Sequence, residues 1–88
     1  MISKDIQIIN ELGLHARPAS LFVTTASKFN SNIKVTFEDK QGDAKSILNV
    51  LALAVKKGDK ITIHVEGQDE AEAANALLEL VESGFNEF

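Results

Sequence analysis

The chain contains no cysteine, no tryptophan and no tyrosine, and only one proline and one methionine. Without cysteine there is no disulfide framework, no thiol nucleophile and no cysteine-based zinc site. With five Phe as the only aromatic residues, Leu, Ile, Val and Ala must fill most of the core. No stretch reaches the ~20 apolar residues of a membrane span. The opening Met1-Ile2-Ser3-Lys4-Asp5 has no apolar signal-peptide core, so a cytoplasmic location is expected. An excess of positive charge is missing too. Nine Lys and Arg stand against 13 Asp and Glu, for a net charge of −4. That balance argues against general binding to nucleic acid or to an anionic membrane. His15 and His64 lack ligand spacing to each other, and neither has a His/carboxylate cluster beside it. No metal site and no cofactor is expected. The 88 residues show no repeat and no low-complexity linker and read as one domain, 1–88. A chain of this size buries about 60–65% of its unfolded surface.

What is present centres on Gly13-Leu14-His15-Ala16-Arg17-Pro18-Ala19-Ser20. Ala19, Phe22, Ala26 and Phe29 fall at spacings of three and four, which predicts a helix over 16–29 with one apolar stripe. Pro18 lies in its first turn, where a missing N–H removes no intrahelical bond. His15 then sits at or near the N-cap, and the amides of Ala16 and Arg17 have no partner within the helix. Those amides, the positive end of the macrodipole and the Arg17 guanidinium make an anion site beside an imidazole. Such a site suits a phosphohistidine, with amides and guanidinium holding the phosphoryl oxygens. On spacing alone, a polar residue on a loop is an equally good account of His15.

The remaining elements follow from periodicity. A first strand is expected over 2–9, with Ile6 and Ile8 alternating with polar neighbours. Asn30-Ser31-Asn32 stops the first helix. Ile33, Val35 and Phe37 mark a second strand with one buried face, and 39–43 is turn material with room for a short third strand. Ile61, Ile63 and Val65 mark another half-buried strand. On it His64 is expected to be solvated among Lys60, Thr62 and Glu66. Asp69 is an expected N-cap for the last helix, with Glu72 at capping-box spacing. Ala74, Leu77, Leu78 and Val81 form that helix's core stripe, and Gly84 ends it. Alternation in every patterned strand favours an antiparallel sheet with helices on one side, a two-layer α+β sandwich.

Within 47–55 only Asn49 is polar. A buried strand is one reading of the run, since Val50 and Val55 are β-branched, but Ser46 before it and Lys56-Lys57-Gly58 after it are cap signals that favour a helix spanning the whole run. A helix apolar on every side cannot be fully buried in a domain this small. Some of Ile47, Leu48 and Leu51 should therefore be exposed, as a patch of the kind that marks interaction sites. Ser46 is expected to cap this helix with its hydroxyl oxygen. Phosphate there would add about −1.5 to −2 charge beside the patch.

Gly13-Leu14-His15-Ala16-Arg17-Pro18-Ala19 resembles the active-site signature of the histidine-containing phosphocarrier HPr family of the phosphoenolpyruvate–sugar phosphotransferase system. The length, the Lys45-Ser46-Ile47 segment and the terminal amphipathic helix also sit where that family has them. The resemblance implies an open-faced sandwich, a four-stranded antiparallel sheet with three helices on one face (βαββαβα). It implies a carrier and not an enzyme. His15 would take a phosphoryl group from the first enzyme of the system and pass it to sugar-specific acceptor proteins. Arg17 and the backbone of Ala16 and Arg17 would hold the phosphate. Ser46 would be a regulatory phosphorylation site read by an HPr kinase/phosphorylase and a transcriptional co-regulator. Ser20, Ile47, Leu48 and Leu51 would form the partner surface of a monomer. Asn49 and Ala54 stand where many members have glycine. Two other functions stay open. Gly84-Phe85-Asn86-Glu87 resembles the tail of the nitrogen-related branch, whose members report phosphorylation state. A pure binding module using Ser46 without relay is the other, although the family's non-relay regulators lack this histidine.

Overall fold

The computed structural model describes residues 1–86. Along the chain run β1 (Ile2–Gln7), α1 (Ala16–Ser27), β2 (Asn32–Phe37), β3 (Lys40–Asp43), α2 (Ile47–Ala52), β4 (Lys60–Glu66) and α3 (Glu70–Glu82), followed by a short 3-10 turn, Gly84–Asn86. The strands form one sheet in the order β1-β4-β2-β3, and every neighbouring pair is antiparallel. Among the described residues no helix is long and apolar enough to cross a membrane.

Period-two alternation sorts the two faces of the sheet. Ile6 pairs with Ile61, Val35 with Ile63 and Ile33 with Val65, and all six are buried. The residues between them, among them Ser3, Asp5, Lys34 and Glu66, are exposed on the open face. From above, α1 contributes Ala19, Phe22 and Ala26, and α3 contributes Ala73, Ala74, Leu77 and Val81. Each fully buried Ile, Leu or Phe adds roughly 1.5–3 kcal/mol before chain entropy is counted.

Six expectations change in the folded chain. Helix α2 ends at Ala52 with Leu53 as its C-cap, so it does not span the whole apolar run. Ala54 takes a left-handed conformation at φ 55°, which breaks the helix. The run is apolar because Leu53 and Val55, on either side of that turn, both enter the core. Lys56-Lys57-Gly58 is therefore no helix cap. It closes a separate turn in which Lys56 N donates to Asp59 Oδ2 at 2.9 Å. Gly58 N donates to Ile8 O at 2.7 Å, and Ile8 N to Asp59 O at 2.9 Å.

Asp69 occupies the N-cap of α3, but its side chain makes no bond to its own helix. Its carboxylate instead accepts from Asn30 N at 2.8 Å, from Ser31 N at 2.9 Å and from the Ser31 hydroxyl. The Ser31 hydroxyl, then the Asn30 amide, hold the Asp69 carboxyl below its ordinary pKa. It is Glu70, not Glu72, that turns back, accepting from Gly67 N at 3.2 Å. Leu78 is half-buried at the margin of the stripe, and Ala73 takes the fully buried place. His64 is also not simply solvated. It is half-buried, with Ser3 Oγ 3.0 Å from Nδ1 and Thr36 Oγ1 3.0 Å from Nε2.

Candidate functional site

His15 is the N-cap of α1, in extended conformation (φ −85°, ψ −169°). Its carbonyl accepts from Ala19 N at 2.9 Å, which starts the helical ladder. Its imidazole makes no capping bond. The first-turn amides of Ala16 and Arg17 precede the first residue able to donate inside the helix, and the first turn carries no acidic side chain. Arg17 is exposed while Pro18 and Ala19 face the core, so the guanidinium is on the solvent side of the same turn. The imidazole is half-buried, with Nε2 buried against the protein.

The loop that delivers His15 is held on both sides. Leu14 is buried, 3% exposed, and its N–H donates to Val55 O at 3.0 Å. Gly13 has φ 65°, and a Cβ there would stand 2.5 Å from Val55 O and 2.7 Å from Lys56 Cα. No side chain fits that approach, and the left-handed conformation disfavours one independently. Asn10 is fully buried. Its Nδ2 donates to Gly13 O at 2.8 Å, while Gly13 N donates to Asn10 O at 3.2 Å. The brace by Asn10 escapes a reading of spacing, because only the folded loop shows the amide turned inward. Lys57 Nζ lies 2.8 Å from Glu11 Oε2. That bond, then the charge of Lys57, holds the Glu11 carboxyl below its ordinary value.

Helix α2 lies beside α1, and two tethers set their directions. The stretch after the C-terminus of α2 meets the His15 loop through Val55. The stretch before its N-terminus meets the end of α1, where Lys45 Nζ donates to Phe29 O at 2.7 Å. The two helices therefore run antiparallel, and Ser46 lies at the opposite end of α2 from His15. Ser46 caps α2 as expected, its Oγ accepting from Asn49 N at 3.3 Å. Leu48 is 76% exposed and Ile47 38%, while Leu51 is half-buried against the core. Ser20 and Leu21 are exposed on α1. The structure thus places an apolar surface on α2, next to the helix that carries His15.

The family described as "PTS HPr component phosphorylation site" matches residues 2–83. The chain belongs to the HPr family. It is 45% identical over 87 residues to the phosphocarrier protein HPr of Neisseria meningitidis serogroup A, covering 99% of this chain and 98% of that one. The crystal structure of HPr-C-His from Thermoanaerobacter tengcongensis is 49% identical, with a TM-score of 0.97 over 100% of this chain and 99% of that one. Crh of Bacillus subtilis, a dimer formed by domain swapping, is 36% identical with a TM-score of 0.76 over 96% of this chain and 97% of that one. As a member of the HPr family the protein is a phosphocarrier of the phosphotransferase system and not an enzyme. The open-faced sandwich seen here is the fold of its HPr neighbours.

Proposed function

We propose that His15 is the phosphoryl acceptor of this carrier. The observation that carries the reading is the N-cap of α1, where an imidazole, first-turn amides that lie ahead of the helical ladder and Arg17 meet, with no acidic side chain in the first turn. Nε2 is buried, so in this reading Nδ1 is the nitrogen that takes the phosphoryl group. In the first transfer the Nδ1 lone pair attacks phosphorus, the N–P bond forms, and the bond to the phosphorylated first enzyme breaks. In the second transfer the N–P bond breaks as a sugar-specific component takes the group. The amides of Ala16 and Arg17 and the Arg17 guanidinium stabilise the charged oxygens throughout.

Ser46 is a regulatory phosphorylation site in this reading, and Ser20, Ile47, Leu48 and Leu51 belong to the partner surface. A phosphate at Ser46 would place charge at the rim of that surface, a helix length away from the phosphohistidine. It would change which partner docks, leaving the chemistry at His15 intact. The HPr kinase/phosphorylase and a transcriptional co-regulator are the partners this site would serve. The tail resemblance to the nitrogen-related branch has a structural account of its own: Phe85 is 2% exposed and fills the core. Glu87 lies outside the described residues.

The test is incubation with phosphoenolpyruvate and the general first enzyme, in parallel with its nitrogen-branch counterpart, followed by acid lability of the label. The wild type and His64→Ala should form an acid-labile phosphoprotein, and His15→Ala should form none. Label from the nitrogen-branch enzyme alone would move the protein to that branch. An acid-labile phosphoprotein from His15→Ala would remove His15 from its role.

A further inference from the structure

We infer that Asn49 is a positioning residue that restrains Ser46 as a nucleophile; the inference rests on the reading of Ser46 as a phosphorylation site. A serine hydroxyl offers two acceptor positions and one donor. Here Asn49 takes both acceptor positions, donating to Ser46 Oγ from its backbone N at 3.3 Å and from Nδ2 at 3.0 Å. The Asn49 amide is held from the other side as well. Its Oδ1 accepts from Asp43 N at 3.2 Å, and Asp43 Oδ1 accepts from Lys45 N at 2.9 Å. Gly42 of β3 lies close to the same residue: a Cβ built on it would stand 3.2 Å from Asn49 Cβ. Asn49 thus ties the Ser46 hydroxyl to the end of β3 with little slack.

Phosphorylation needs what this arrangement withholds. An Oγ lone pair must attack the γ-phosphorus of ATP. The O–P bond forms, the bond to the leaving diphosphate breaks, and the hydroxyl proton passes to a base of the kinase. One of the two Asn49 bonds has to open first. The backbone bond is the cap of α2, so the Nδ2 bond is the one that yields. Opening a bond of this kind slows attack by about two- to tenfold. A glycine at this position would leave one lone pair of the serine open.

The experiment compares the full-length wild type with Asn49→Ala, using HPr kinase and ATP, with kcat and KM measured at Ser46. Phosphorylation of His15 by the first enzyme is the control. Asn49 is exposed, so the variant keeps the fold, and a thermal melt checks this. The expected result is kcat raised about two- to tenfold, with KM and the His15 rate unchanged. An unchanged kcat overturns the inference. A raised KM at constant kcat does so as well, because it makes Asn49 a docking contact. If neither protein takes phosphate at Ser46 while both take it at His15, the reading of Ser46 falls and this inference with it.

Discussion

Of the polar residues at helix N-caps, His15 before α1 and Ser46 before α2 use the position differently. Ser46 uses its side chain as a cap, and its oxygen is engaged by Asn49. His15 makes no capping bond. It precedes a helix of 12 residues, which has the ladder and the buried stripe to stand without a side-chain cap. Helix α2, with six residues and one fully buried side chain, needs its cap more. The Ser46 oxygen is used to cap its helix, and the His15 imidazole is not.

The largest effect should come from Gly13→Ala. Left-handed backbone strain and overlap with Val55 O together should cost about 3 kcal/mol or more. A denaturant melt should show the loss, and transfer at His15 should fall with it. If the variant melts like the wild type, the loop is less tightly held than the geometry indicates.

Arg17→Ala should separate charge from fold. Arg17 is exposed, so stability should change by no more than about 0.5 kcal/mol. Loss of a charge-assisted contact to phosphate should lower transfer by about 1.5–3 kcal/mol. A variant that transfers normally would leave the amides as the whole of the anion site.

Leu48→Glu tests the surface beside the two caps. At 76% exposure the side chain holds little of the core, so a cooperative melt close to that of the wild type is expected. Binding to the first enzyme, measured by calorimetry, should weaken by about 1–2 kcal/mol, as it does for apolar anchors. Undiminished binding would move the partner surface off α2.

The smallest change in stability is expected at one of the two N-caps themselves. Ser46→Ala should lose about 1 kcal/mol of stability through its cap and keep transfer at His15. His15→Ala should melt almost unchanged and lose transfer completely. Equal losses of stability in the two variants would end the distinction between a side chain that caps its helix and one that does not.

Much of this could be read from residues close together in the chain. His15 before a helix, Pro18 in its first turn, the cap at Ser46 and the two-residue alternation of the strands are local features. Their determinants lie within one helical turn or one strand, so they can be read before the chain is folded. The α+β layering follows from the same alternation, because each strand has one apolar face that must be covered.

Tertiary structure decided the rest, and in each case the partner is distant in the chain. Gly13 is required because Val55 and Lys56 come against it. Asp69 gives up its own helix for Asn30 and Ser31, since amides from another loop arrive ready to donate. Helix α2 stops at Ala52 because the core draws in Leu53 and Val55 on either side of a turn, although an apolar run alone fits a longer helix equally well. His64 gains two hydroxyl neighbours only when β1 and β2 are laid on either side of β4. Spacing records which residues one element can present. It does not record which element will lie opposite, and hydrogen bonds and close contacts are settled there.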